Sequence, residues 1–304
     1  MPGSNASNPD RATPLLRARL RVLARHLPQA LGGVEEEIHQ MRVAGRRLRV
    51  ALPLLATRPH GRRVRRALSI LKELTRGGGL SRDLDVGLAL LEERLRSVGG
   101  TSRERGILRR RLRSARTRSR TTMADVLLDL NISKLRRHLR AIVSRRAEGI
   151  FTVILRLRAV REDAETFVED LRLEAGRYDP EALHRLRRRT RRLRYCLEVG
   201  DALRGQESEG PALMKQLQDL LGLSHDAHVL AGWLERQAAA ADAAGDAALA
   251  EEARSLQGFF LDKSHEHHRA YIEADPPALA RRALENLGPP ADPATRTGGL
   301  ECAS

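Results

Sequence analysis

The 304-residue chain carries 55 Lys and Arg against 39 Asp and Glu, a formal net charge of +16, and only 3% of its residues are aromatic. Its 41% of hydrophobic residues suffice for a core of Leu, Ala and Val, and the excess of basic residues favours a polyanionic partner. Neither cysteine, Cys196 or Cys302, has metal-ligand or disulfide spacing, and no secretory signal or membrane-spanning run is found, so we expect a soluble cytoplasmic protein.

The predicted elements are all helices, because apolar residues recur at helical spacing nearly throughout and no alternating strand pattern stands out. Residues 1–10 and 288–304 are predicted to be disordered. Asp179-Pro180 predicts a helix start, as an N-cap followed by proline at the first helical position. Helix breaks are predicted at Gly32-Gly33, Gly77-Gly78-Gly79, Gly99-Gly100 and residues 205–211.

An internal repeat organises the chain. HQMRVAGRRLR (39–49) matches HRLRRRTRRLR (184–194), and LKELTRGGGLSRDLDV (71–86) matches MKQLQDLLGLSHDAHV (214–229). The two matches have nearly equal shifts, 145 residues from 39 to 184 and 143 residues from 83 to 226. The duplication predicts two homologous antiparallel helical bundles, residues 11–145 and 146–287, related by a pseudo-two-fold axis, with four or five helices each.

Each motif helix carries one face made only of basic side chains, here called a stripe. The first stripe consists of His39, Arg42, Arg46 and Arg49, and the second of His184, Arg187, Arg191 and Arg194. The opposite, core-facing positions are Ile38, Met41, Leu48, Leu52 and Leu55, and in the second copy Leu183, Leu186, Leu193 and Leu197. Like charges one turn apart cost about 0.2–0.5 kcal/mol per pair. One stripe is compatible with a solvated face, but two identical stripes favour a shared ligand.

Two facing stripes would form a basic furrow that suits a chain of phosphates, since arginine binds phosphate bidentately and stays charged. Lys72 and Lys215, at equivalent positions, would add point charges, and the candidate secondary contacts are Arg47, Arg192, Arg113 and Arg116. Sequence-nonspecific nucleic-acid binding is the alternative. Aromatics for base stacking are few, and no helix-turn-helix, zinc-finger, RNA-recognition or KH signature occurs, so inorganic polyphosphate fits better.

Two histidine-containing segments invite a metal interpretation. His225-Asp226 resembles the dyad of metal phosphohydrolases, but the equivalent pair in the first half is Arg82-Asp83. We instead expect Ser81 and Ser224 to be N-caps, with Asp83 and Asp226 near a helix dipole or an arginine. The HEHH segment (265–268) is assigned to a polar helix face, and no metal or cofactor is expected.

The paired motifs resemble the CHAD family (conserved histidine α-helical domain) over about residues 11–285. The resemblance implies two pseudo-symmetric helical bundles around a basic furrow and polyphosphate binding by both stripes, in some members at polyphosphate granules. No E-x-E-x-K segment of the enzymatic CYTH (triphosphate tunnel) domain occurs, so a non-enzymatic protein is expected. Pro53 stands where the second copy has Glu198, and it predicts a kink in the first motif helix. The oligomeric state is left open.

Overall fold

The computed structural model describes residues 11–99, 102–144, 150–174 and 176–287. Within these ranges the chain forms ten α-helices and a final 3₁₀ turn, Glu285–Leu287, and no strand, which confirms the all-α class. The helices are α1 (Ala12–Leu31), α2 (Glu35–Leu55), α3 (Arg62–Val98), α4 (Arg103–Asp129), α5 (Ile132–Val143), α6 (Ile150–Glu174), α7 (Pro180–Arg204), α8 (Gly210–Ala243), α9 (Ala247–Glu273) and α10 (Pro276–Leu284). Both predicted disordered ends, and the predicted boundary at 145/146, lie outside the described residues.

The start of α7 is the one that the sequence predicts. Asp179 Oδ1 accepts hydrogen bonds from the backbone N–H groups of Glu181 and Ala182, and Pro180 occupies the first turn. The helix ends at Gly205, whose φ of 68° lies in the left-handed region that glycine adopts without strain.

The predicted break at Gly77-Gly78-Gly79 is wrong, because α3 runs without interruption from Arg62 to Val98. Each glycine weakens a helix by roughly 1 kcal/mol, but α3 packs against four other helices, and such packing outweighs local propensity. The predicted N-caps Ser81 and Ser224 are also wrong, since both lie inside helices. Ser224 Oγ instead donates to the backbone carbonyl of Ser264 on α9 at 3.0 Å.

The helices pack in the same order in both halves of the chain. The contacts α1–α2, α2–α3, α3–α4 and α3–α5 recur as α6–α7, α7–α8, α8–α9 and α8–α10. Across the halves, α2 contacts α7 and α3 contacts α8. This order agrees with the duplication, while the pseudo-two-fold rotation and the division into two bundles remain predictions.

Two hydrophobic clusters form the core, and each combines side chains of both halves. The larger includes Leu48 of α2 and Leu197 of α7, and the smaller includes Leu91 of α3 and Leu234 of α8. All nine core positions predicted on the two motif helices are buried. Because burying each leucine contributes about 1.5–3 kcal/mol, this packing fixes α2 beside α7 and leaves their basic faces off the core. No helix in the described ranges has an apolar stretch long enough to span a membrane.

Candidate functional site

The two stripes meet where α2 contacts α7. We call Arg42 and Arg46 of α2, with Arg187 and Arg191 of α7, the arginine quartet. Burial, and then repulsion from Arg46, lowers the pKa of Arg42 to about 10. The same two causes lower the pKa of Arg191 to about 10, with Arg187 and Arg42 adding further repulsion. The structure therefore brings both stripes together at these four guanidinium groups.

Several N–H groups of the quartet have no acceptor. Arg42 Nη1, Arg46 Nε and Arg187 Nε are buried without a hydrogen-bond partner. Within the described ranges Arg42, Arg46 and Arg191 form no ion pair, whereas Arg187 Nη2 lies 3.8 Å from Asp226 Oδ1. A buried charged donor without a partner is costly. A bound anion would remove that cost, so the quartet has the chemistry of an anion site.

Glycines at equivalent repeat positions allow two quartet arginines to lie against the neighbouring helices. A Cβ atom added to Gly79 of α3 would lie 4.0 Å from Arg42 Nη2, and one added to Gly222 of α8 would lie 3.8 Å from Arg187 Nε. A larger side chain at either position would compete with the guanidinium for this space. Gly79 therefore lies beside Arg42 inside a continuous helix, where the sequence suggests a helix break.

Two aspartates lie beside the quartet at equivalent positions of α3 and α8. Burial raises the pKa of Asp83, while Arg42 and Arg187 act in the opposite direction. Burial also raises the pKa of Asp226, which Arg187 lowers and the neighbouring Asp83 raises. The predicted pairing with a nearby arginine is thus confirmed for Asp226, which lies 3.8 Å from Arg187, whereas Asp83 feels the charges of Arg42 and Arg187 without forming an ion pair in the described ranges.

The stripe histidines lie at the edge of the quartet. Burial, followed by repulsion from Arg82, lowers the pKa of His39, and burial followed by repulsion from Arg187 lowers the pKa of His184. His184 Nδ1 is buried without a hydrogen-bond partner, and its ring centroid lies 4.8 Å from that of His225. Their surroundings therefore lower the pKa of both stripe histidines and favour the uncharged ring in the free protein.

An open cleft of about 850 Å³ lies between α2, α3 and α7 and includes two residues of the quartet. Nine of its seventeen lining residues are Arg or Lys, and none is Asp or Glu. The basic ones are Arg46, Arg49, Arg65, Lys72, Arg185, Arg188, Arg189, Arg191 and Arg192. We call this the basic cleft; it is wide enough to admit a chain of phosphates and supplies donors from both walls.

Sequence analysis predicted five of the nine basic lining residues and missed four, which are Arg65, Arg185, Arg188 and Arg189. The last three belong to the dense arginine run of the second motif, where charge density was a usable signal. Arg65 precedes the repeated K-x-L segment, and nothing in the pattern distinguishes it. The predicted secondary contact Arg192 lines the cleft but also pairs with Asp163 at 2.8 Å.

Three predicted binding residues are neutralised within the protein and do not line the cleft. Lys215 is exposed, and its Nζ lies 2.5 Å from Asp219 Oδ2. Arg194 lies 3.8 Å from Glu198. Arg47 donates two hydrogen bonds to the same Glu198 carboxylate, at 2.8 and 3.0 Å. The first two pairs lie within one helix and the third joins α2 to α7, and all three cations have less capacity for an external anion.

The remaining secondary candidates lie on α4 and pair with acids. Arg113 pairs with Glu92 at 2.5 Å. Arg116 bridges Asp85 at 2.5 Å and Glu35 at 2.7 Å. These contacts attach α4 to α3 and to the start of α2, so the basic appearance of this run in the sequence is partly cancelled in the fold.

The histidines of the HEHH segment surround an aromatic ring. On α9, the rings of His265 and His268 lie 4.1 and 5.4 Å from that of Tyr178. His228 Nδ1 lies 3.3 Å from the Tyr178 hydroxyl on another side. In the part of the chain that the structure describes, no three His, Cys, Asp or Glu side chains form a group suited to a metal ion.

Comparison with known proteins agrees with this architecture. The profile of the CHAD domain family matches residues 14–235. Among solved structures, the crystal structure of the CHAD domain from the plant Ricinus communis is similar, with a TM-score of 0.58 and 24% sequence identity over 92% of each chain. At this identity the likeness shows the fold. A search of curated proteins found no match.

Proposed function

Because the chain belongs to the CHAD family, we propose that it binds inorganic polyphosphate, without chemical turnover, at the arginine quartet and in the basic cleft. The observation that carries the proposal is the acid-free lining of the cleft beside three quartet arginines that form no ion pair within the described ranges. Guanidinium forks on both walls would bind successive phosphates of a linear chain. The proposed setting is the cytoplasm, at polyphosphate granules.

The available aromatic surface favours polyphosphate over nucleic acid. Tyr195, which lines the cleft, is only 2% exposed, and the guanidinium groups of Arg47 and Arg194 lie over its ring. A base would therefore find no free ring face there on which to stack. The cleft offers cations for phosphate groups and little for bases.

A competition assay at physiological salt tests the choice of ligand. We expect unlabelled polyphosphate to displace labelled long-chain polyphosphate, and duplex DNA or RNA at equal phosphate concentration to displace much less. Displacement by nucleic acid as effective as that by polyphosphate would favour the nucleic-acid alternative. Release of phosphate from polyphosphate on addition of Mg²⁺ or Mn²⁺ would contradict binding without turnover.

Binding is expected to strengthen as the pH falls, because a phosphate beside His184 would favour its charged form. Burial and Arg187 lower the pKa of His184 in the free protein, and an adjacent polyanion would raise it. Binding is therefore expected to take up a proton at mildly acidic pH and not at alkaline pH, where the ring is neutral with or without ligand. We expect affinity to rise by about threefold to tenfold from about pH 8 to about pH 6.

Calorimetry in two buffers of different ionisation enthalpy would measure that proton uptake. His184→Gln should reduce it and flatten the pH profile, while His60→Gln, at an exposed position outside the site, should leave both unchanged. An unaltered profile in His184→Gln would assign this histidine a packing role only.

A further inference from the structure

At one pair of equivalent positions, the first copy of the motif has an uncharged residue and the second copy has an acid. Pro53 of α2 lines the basic cleft, and the equivalent residue of α7 is Glu198. The Glu198 carboxylate lies 2.8 Å from Arg47 Nε and 3.1 Å from Arg19 Nη1, and 3.8 Å from Arg194 Nε. One acid thus lies among cations of α1, α2 and α7 and offsets part of their charge, at the place where the first copy has an uncharged ring.

The last stripe arginines of the two copies therefore have different charged neighbours. Arg49 lines the cleft, and its Nη1 donates to Thr75 Oγ1 at 3.1 Å. Burial, and then repulsion from Arg188, lowers the pKa of Arg49, so it faces another cation and no acid. Its equivalent, Arg194, lies 3.8 Å from Glu198 Oε1, although its Nε has no hydrogen-bond partner. Of the two equivalent arginines, only Arg49 has no carboxylate within ion-pair distance.

The motif lysines show the same difference one helix further on. Lys72 lines the cleft and forms no ion pair within the described ranges, whereas Lys215 pairs with Asp219. Asp219 stands where the first copy has Arg76. A second acid of the second copy thus neutralises the cation that the repeat would otherwise present twice.

We propose that the polyanion runs from the quartet along one arm of the furrow only. The bound arm is the basic cleft, with Arg49, Lys72 and Arg188, and the other arm, with Arg194 and Lys215, is closed to anions by Glu198 and Asp219. This inference rests on the proposed function and makes it specific. A linear polyphosphate therefore binds on one side of the α2–α7 contact and is not shared evenly between the two copies.

The lysine pair provides a matched test on the full-length protein. Lys72→Ala and Lys215→Ala each remove one exposed charge at equivalent helix positions. We expect Lys72→Ala to weaken binding of long-chain polyphosphate by roughly threefold to tenfold, and Lys215→Ala to change it by less than about twofold. Equal losses in both variants would overturn the one-arm inference while leaving the proposed function intact. A wild-type protein that binds no polyphosphate would overturn the proposed function itself.

Glu198→Gln gives a second, independent measurement. It removes the negative charge while keeping the size of the side chain, so affinity is expected to rise about twofold to fivefold as Arg47 and Arg194 are released. Circular dichroism and thermal denaturation verify folding. If the folded variant binds no more tightly than wild type, Glu198 does not close the second arm. If it fails to fold, the lysine comparison alone decides.

Discussion

Replacing Arg46 and Arg191 together by glutamate is expected to weaken polyphosphate binding by more than about 100-fold, without loss of the helical circular dichroism signal. These residues come from different helices, yet repulsion from Arg46 contributes to the lowered pKa of Arg191. Both also line the basic cleft, so the double substitution alters the charge of the quartet and of the cleft at the same time. Two reversals place negative charge where the phosphates would bind and remove their strongest donors.

A control with the same change in net charge is required, because lowering a charge of +16 weakens any polyanion interaction at long range. Arg17→Glu with Arg25→Glu provides it on exposed positions of α1. We expect this double substitution to weaken polyphosphate binding by less than about fivefold at physiological salt, where charges outside the site are screened. Titration with fluorescent polyphosphate measures both. Similar losses in the two double variants would show that net charge, not the site, governs binding.

The second large effect is a gain of stability when a quartet arginine is made neutral. Arg191→Met is expected to raise the melting temperature of the ligand-free protein by about 2–4 °C, which is on the order of 1 kcal/mol after solvent screening. Burial and like-charged neighbours lower the pKa of Arg191 to about 10. At pH 7 the guanidinium is charged in both the folded and the unfolded chain. Burial and charge repulsion at Arg191 therefore destabilise the folded state by their full amount.

The dependence on pH follows from the direction of that shift. The destabilisation caused by the charged Arg191 persists at all pH values below about 10. It is relieved as the pH rises through that value, because the Arg191 guanidinium of the folded protein then releases its proton. The gain from Arg191→Met should therefore shrink under strongly alkaline conditions. Polyphosphate should stabilise the wild type by about 2.7 kcal/mol at 100 times its dissociation constant and stabilise the variant less.

Thermal denaturation with and without polyphosphate measures both effects. Arg25→Met, at an exposed position of α1, serves as the comparison and should change stability by less than about 0.5 kcal/mol. A wild-type protein more stable than Arg191→Met in the absence of ligand would show that this arginine stabilises the fold rather than destabilising it.

The sequence alone determined the features that depend on local spacing. Helical periodicity identifies the fold class and all nine core positions of the motif helices, because a helix must bury one face. The duplicated motifs identify the helices whose basic residues meet, and the start of α7 follows from its Asp-Pro signal. These properties are set by residues a few positions apart, which a sequence displays directly.

Only the tertiary structure decided which basic side chains remain available to an anion. Glu198 accepts hydrogen bonds from Arg19 and Arg47, which are 179 and 151 residues away in the chain, and so offsets part of a basic surface that looks uninterrupted in the sequence. The same holds for Gly79, which continues a helix because α3 is packed against several other helices. Neutralisation and packing depend on distances between elements that are remote in sequence, and spacing along the chain does not encode those distances.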